Sequence, residues 1–167
     1  MVRPWYWPEG GQPHRTEPFT WIVKHKLAVG WWPESREFEI YRKEGIKVIV
    51  NCSEFNNRKD VPKDFVYYHI SVPDYGIPTD YQIKTFIKIT DKHGKNKEPI
   101  VVHCVAGCGR TGQFVIAWAA YKGYIPKGMD PVKWIRKLRP CSIETQEQMT
   151  FSRDLAKKYQ KQYVNNK

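Results

Sequence analysis

The alternation of apolar and polar stretches in this chain predicts an α/β fold of three layers, a mostly parallel central sheet flanked by helices. Three observations carry that expectation. The β-prone runs at residues 46–50 (IKVIV) and 100–102 (IVV) hold almost no polar side chain, as strands covered on both faces do. Segments with apolar residues at helical spacing separate the strands, which favours parallel pairing over a meander. A glycine-rich stretch then leads from the second run into a long apolar helical segment. Sheets of this kind bind ligands beyond the carboxyl ends of their strands.

Taken in order, residues 1–18 are rich in Pro, Gly and Trp and are expected to form an irregular arm whose Trp5, Tyr6 and Trp7 pack onto the rest. Residues 19–167 are expected to form a single domain, since a chain of 167 residues suits one domain with a real core. Residues 20–30 (TWIVKHKLAVG) read as two short strands around a Lys24-His25-Lys26 turn. Residues 33–44 read as a helix, with Pro33 in its first turn and Gly45 as its stop. The strand at 46–50 ends at Asn51-Cys52-Ser53, a polar loop covers 54–64, and residues 65–72 form another strand.

Residues 73–78 (PDYGIP) form a constrained loop. Thr79 and Gln82 have the spacing of a capping box, and Ile83, Phe86, Ile87 and Thr90 then share one helical face. Residues 113–121 are apolar on nearly every side, as a buried central helix requires. Asp130-Pro131 opens a shorter helix presenting Val132, Ile135 and Leu138. The last helix begins near Thr145 and carries Phe151, Leu155 and Tyr159 at four-residue steps.

The formal charge of +11, from 28 Lys and Arg against 17 Asp and Glu, favours anionic partners without choosing among phosphoproteins, RNA and lipid headgroups. A solvated basic surface explains it equally well. No apolar run approaches the ~20 residues of a membrane span, and the aromatic, proline-bearing start is unlike a secretory signal. The four cysteines, Cys52, Cys104, Cys108 and Cys141, lack the density of a disulfide scaffold. A reducing, cytoplasmic setting is therefore expected, and the chain is expected to be a monomer.

Residues 99–112, PIVVHCVAGCGRTG, hold the chemistry. Strand, glycine-rich loop and helix start in that order form an anion cradle, because loop N–H groups and first-turn N–H groups converge on one spot. Val105, Ala106, Gly107, Cys108, Gly109 and Arg110 would surround a phosphate there. Cys104 would stand beside it as a thiolate, a nucleophile facing its electrophile. An inert buried cysteine is the plainer alternative. Arg110 offers a planar fork for two phosphate oxygens, and Thr111 a hydroxyl for the thiolate or for the helix start. His103, Cys104 and Cys108 have a tolerable zinc spacing, but a second ligand pair is lacking, so no metal or other cofactor is expected.

The spacing His-Cys, five residues, Arg-Thr-Gly resembles the signature loop of the cysteine-dependent protein tyrosine phosphatase superfamily, and more closely that of the small atypical dual-specificity phosphatases. The resemblance extends over roughly residues 19–151. It implies a two-step hydrolysis of phosphotyrosine, and of phosphoserine or phosphothreonine in a shallower cleft, through a cysteinyl-phosphate on Cys104. It also implies that His103 orients the loop and that Asp74 is the general acid. A lone Asp after Pro is otherwise an ordinary turn residue, and Asp80 competes for the role but sits in the Thr79 capping turn.

Residues 139–148 (RPCSIETQEQ) resemble the family stretch that positions the hydrolytic water, with Glu144 and Gln148 at the matching places. Glu144 stands where tyrosine-specific members have glutamine, and Cys141 where glycine is frequent. Gln148 also completes a capping box with Thr145. Cys52, or else Cys108, is a candidate to trap oxidised Cys104 as a disulfide; two cysteines merely buried nearby is the plainer alternative. A phosphorylated protein is the expected substrate. RNA 5′-phosphate and phosphoinositide are the alternatives that the charge permits, and a phosphate-binding module without turnover is a third.

Overall fold

The computed structural model describes residues 5–11 and 14–167, with the backbone alone at Trp5 and Tyr6. Its central element is a five-stranded sheet built from β3 (Phe19–Val23), β4 (Leu27–Gly30), β5 (Val48–Asn51), β6 (Val66–His69) and β7 (Ile100–His103). The spatial order is β3-β4-β7-β5-β6, and only the β3–β4 pair is antiparallel. The mostly parallel sheet inferred from the strand–helix alternation is therefore present.

Period-two alternation decides what each strand residue touches. Leu27, Val29, Val48, Val50, Ile100 and Val102 pack against α2 (Asp80–Lys95), α3 (Gly109–Lys122), α4 (Pro131–Leu138) and α5 (Gln146–Asn165). The intervening Ala28, Ile49 and Val101 pack against Phe38 and Tyr41 of α1 (Ser35–Glu44) on the other face. Those are the three layers. Cys52 and Cys104 continue the even-numbered rows of β5 and β7 and join the larger core. Asn51 pairs in register with His103, so the two cysteines leave neighbouring strands side by side.

The helices end where local chemistry dictates. Thr79 and Gln82 exchange hydrogen bonds in a capping box at the start of α2, and Thr145 and Gln148 do the same for α5. Gly45 closes α1 in the left-handed conformation at φ 82°. Pro33 precedes the Glu34 cap instead of lying in the first turn, because Glu34 and Glu37 form a capping box of their own. Helix α3 is buried from Gly109 to Ala120, which explains its lack of a polar face. Leu138, expected on the buried face of α4, is 38% exposed at the last residue of that helix.

The N-terminal arm is not irregular throughout. β1 (Trp5–Tyr6) and β2 (His14–Arg15) form a two-stranded antiparallel ladder. Trp7 is 73% exposed and does not pack inward, while the side chains of Trp5 and Tyr6 lie outside the described residues. The arm is tied down by Glu9: its N–H donates to Glu144 O at 3.1 Å, and its carboxylate accepts from Gln146 N at 2.9 Å. Arg136 adds a bond to Glu9 O at 2.8 Å. Among the described residues no helix is long and apolar enough to cross a membrane.

Phe114 has no exposed surface and meets Phe86 edge to face at 5.2 Å, joining α3 to α2. Phe114→Ala is expected to lower the unfolding free energy by about 3–5 kcal/mol, read as a lower urea midpoint with an unchanged m-value.

Candidate active site

The loop between β7 and α3 is held from behind by its carbonyl groups. His103 Nδ1 lies 3.0 Å from Cys104 O and carries the proton of that bond, since a carbonyl only accepts. Trp32 N donates to Val105 O at 2.8 Å. Arg139 donates from Nη2 to Ala106 O at 3.0 Å and from Nε to Gly107 O at 2.6 Å. Four successive carbonyls are thus turned into the protein body, and the N–H groups of Cys108 and Thr111 face the Cys104 sulfur, whereas the N–H of Gly109, expected to face a phosphate, is taken by Glu144. The chain passes so close to its support that a Cβ on Gly107, at φ 72°, would fall 2.2 Å from Gly30 O.

Arg139 is 2% exposed and has no carboxylate partner among the described residues. Its remaining bonds go to Glu17 O at 2.9 Å and Thr20 Oγ1 at 2.8 Å. Burial pulls its pKa down to about 10, and it remains a cation at neutral pH. His103 is fully buried and its pKa falls to about 4 by desolvation, so it stands there as a neutral hydrogen-bond donor.

Cys104 is 1% exposed at the centre of this arrangement. Its pKa falls to about 5: the Cys52 thiol donates to it, burial opposes, and Arg110 with the N–H groups of Cys108 and Thr111 adds to the lowering. The Cys52 S–H has two acceptors in reach, His103 O at 3.3 Å and the Cys104 sulfur. Once Cys104 ionises, the anion is the stronger acceptor. Desolvation, reinforced by that neighbour, pushes the Cys52 pKa well up, so the pair shares one negative charge and Cys104 carries it.

Arg110, 2% exposed, reaches from the first turn of α3 to the far side of the cradle. Its Nη1 donates to Val72 O at 3.1 Å and lies 3.3 Å from Glu54 Oε1, while Nη2 lies 3.2 Å from Asp74 Oδ1. Burial opposes its charge, but Cys104, Asp74 and Glu54 outweigh it and hold the guanidinium protonated. Its Nε–H is buried without an acceptor among the described residues. Glu54 also accepts from Asp74 N at 2.7 Å, binding the 73–78 loop to the loop after β5. Asn51 fixes the second of these loops, accepting from Ser53 N at 2.9 Å and donating to Phe55 O at 2.7 Å.

The other residues singled out in the sequence occupy supporting positions. Thr111 Oγ1 points to Cys108 O at 3.4 Å, while its backbone N–H faces the Cys104 sulfur. Glu144 Oε1 accepts from Gly109 N at 2.9 Å. Gln148 accepts from Glu144 N at 2.9 Å and donates to Gly76 O at 3.1 Å, and Gln113 donates to the same carbonyl at 3.1 Å. Gln113 and Gln148 thereby join two helices to the loop of Asp74.

One expectation is corrected. Cys108 is bridged to Cys141, with Cα atoms 5.2 Å apart, and only Cys52 and Cys104 are free thiols. The cysteines are not four thiols, and Cys108 cannot serve Cys104 as a redox partner while its own sulfur is occupied. Cys141, where glycine is frequent in similar sequences, is two residues beyond Arg139 and meets Cys108 in the signature loop.

Glu54, Gln113, Trp32 and the role of Arg139 were not assigned from sequence. Each acts across a long stretch of chain, and a carboxylate in a polar loop carries no local mark of its target. Arg139 heads the second family-like stretch, which was the one available signal.

Residues 28–124 match the family model described as Tc-R-P, a polymorphic toxin system DSP-PTPase phosphatase. An uncharacterized protein of Methanocaldococcus jannaschii, MJECL20, is 30% identical over 100 residues, 59% of this chain and 65% of that protein. The tyrosine-protein phosphatase cdc-14 of Caenorhabditis elegans is 28% identical over 141 residues, 75% of this chain and 19% of its own length. The chain thus spans less than two thirds of either relative. The solved structure of Tk-PTP in its active form shares the fold, with a TM-score of 0.68 at 22% identity, covering 86% of this chain and 97% of that one. With the signature loop and its strand, helix and supporting arginine in one contiguous arrangement, this chain belongs to the dual-specificity and tyrosine phosphatase superfamily.

Proposed function

We propose that the chain hydrolyses phosphate monoesters on protein, phosphotyrosine foremost and phosphoserine or phosphothreonine beside it, through a cysteinyl-phosphate. The observation that carries this reading is the position of Cys104, buried beside Arg110, the Cys52 thiol and the N–H groups of Cys108 and Thr111, surroundings that pull its pKa down to about 5. The thiolate attacks phosphorus, an S–P bond forms and the ester P–O bond breaks. Asp74, 3.2 Å from Arg110, delivers its carboxyl proton to the leaving oxygen. Water then attacks the phosphocysteine, Asp74 takes back a proton, and inorganic phosphate leaves with the thiolate restored. As the oxygens gain charge, Arg110 and the fixed N–H groups stabilise them without reorganising.

The rim supports a protein substrate over a polyanion. Phe55 and Tyr75, 59% and 56% exposed, follow Glu54 and Asp74 in the chain, and Trp32 lies 6.5 Å from Phe55. Within residues 104–110 the sole cation is Arg110, which gives a second phosphate group no partner in the loop itself. An aromatic rim with one phosphate cradle suits a single aryl or alkyl phosphate on a peptide.

Cys52 is the proposed redox guard. Peroxide takes the Cys104 thiolate to the sulfenic acid, and the Cys52 thiol displaces water from it to close a disulfide.

Against a phosphotyrosyl peptide, Cys104→Ser is expected to release no phosphate and Asp74→Asn to lower kcat by about 10²–10⁴-fold. Equal release by Cys104→Ser, or faster release from triphosphate-ended RNA or a phosphoinositide, overturns the respective part of the reading. Iodoacetamide alkylation of Cys104 is expected to show a midpoint near pH 5, moved upward in Cys52→Ala by loss of the S–H donor. After mild peroxide, peptide mapping should find a Cys52–Cys104 disulfide in the native chain and sulfinic Cys104 in Cys52→Ala. Sulfinic acid in both disproves the guard.

A further inference from the structure

A cavity of about 630 Å³ opens at the amino ends of β4 and β7. Ile100 lines it, four residue steps of ~3.3 Å from Cys104, so the cavity lies at the end of β7 opposite the signature loop. The floor is apolar, formed by Leu27, Pro99, Ile100, Trp118 and the ring of Tyr124. The rim is basic. Lys24 and Lys26 stand on the β3–β4 turn, Lys95 at the end of α2 and Lys97 on the connection to β7. Both turns hold a non-glycine residue in left-handed backbone, His25 at φ 63° and Lys97 at φ 55°, a conformation that surrounding structure must impose.

The polar inventory of this cavity is one-sided. None of these four lysines has an ion-pair partner among the described residues. The two carboxylates of the lining are already engaged, Asp91 with Lys122 at 2.5 Å and Glu98 with His93 at 3.1 Å. Trp118 is 4% exposed, and its ring packs on Tyr124 at 5.1 Å. Its indole N–H has no acceptor among the described residues. Four exposed cations without an ion-pair partner around an apolar floor match a ligand that carries negative charge on an apolar body. The volume is that of a small-molecule site, not of a macromolecular interface.

We propose that this cavity binds a nucleoside polyphosphate, with the phosphates on Lys24, Lys26, Lys95 and Lys97 and the base against Trp118 and Tyr124. Inorganic phosphate alone would leave the apolar floor uncovered, and an uncharged aromatic would leave the lysines unpaired.

The test is calorimetric titration of the whole chain with ATP, with orthovanadate present to fill the signature loop. One-to-one binding is expected to survive vanadate and to weaken by at least ~10-fold for each charge reversed in Lys95→Glu and Lys97→Glu. Trp118→Phe keeps the ring, removes the N–H and should weaken binding too, while tripolyphosphate should bind less tightly than ATP. Turnover of p-nitrophenyl phosphate by the lysine variants should match that of the native chain, which also shows that they fold. Several results would overturn the proposal: no heat at about 1 mM ATP, competition by vanadate, indifference to the charge reversals, or tripolyphosphate equal to ATP. Binding of RNA or anionic vesicles through the same lysines with ATP excluded would replace the small ligand by a macromolecular one and sink it equally.

Discussion

Everything chemical in this molecule depends on four carbonyl groups being turned away from the place where an anion would sit. A peptide unit has two ends, and a loop whose carbonyls were free to rotate would present oxygens to a phosphate as readily as hydrogens. Here His103, Trp32 and Arg139 take up the carbonyls of residues 104–107 in succession. Arg139 bears the heaviest part, a cation inside the protein with no carboxylate paired to it among the described residues. Its desolvation opposes folding, and its four hydrogen bonds and the thiolate offset that penalty. The gain is a site already polarised before any ligand arrives.

The same geometry explains why Cys104 ionises in an interior where a thiol should prefer its proton. Burial alone would raise its pKa, as it does for Cys52 one strand away. What separates the two sulfurs is direction. Cys104 stands where the loop N–H groups converge, and Cys52 serves it as a donor. Around this charge the site is balanced, with Arg110 set against Glu54 and Asp74. The net charge of +11 therefore resides elsewhere, and the lysine-rimmed cavity at the far pole of the sheet holds a share of it.

Much of the fold was legible because its signals are local. The capping boxes at Thr79 and Thr145, the stop at Gly45 and the paired strands around His25 each depend on residues within a few positions of one another. The signature loop was legible for the same reason, being one contiguous stretch. The supports of the site were not. Glu54 meets Asp74 across 20 residues, Cys108 meets Cys141 across 33, and Arg139 meets Glu17 across 122. Such partners are set by how strands stack, and a charged residue in a loop looks alike whether it faces water or a buried guanidinium. Trp7 misled in the opposite sense, since aromatic character alone does not specify a neighbour.

The Cys108–Cys141 bridge fastens the rim of the anion cradle to the turn that supplies Arg139 and Glu144. A thiol reagent such as dithiothreitol meets two different sulfur pairs here, the free Cys52 and Cys104 and the bridged Cys108 and Cys141. The bridge is the one covalent target of the two, and its reduction would remove a brace of the loop around Cys104. The reductant concentration in a buffer is accordingly a variable of any assay, since it sets the fraction of the protein that keeps the bridge.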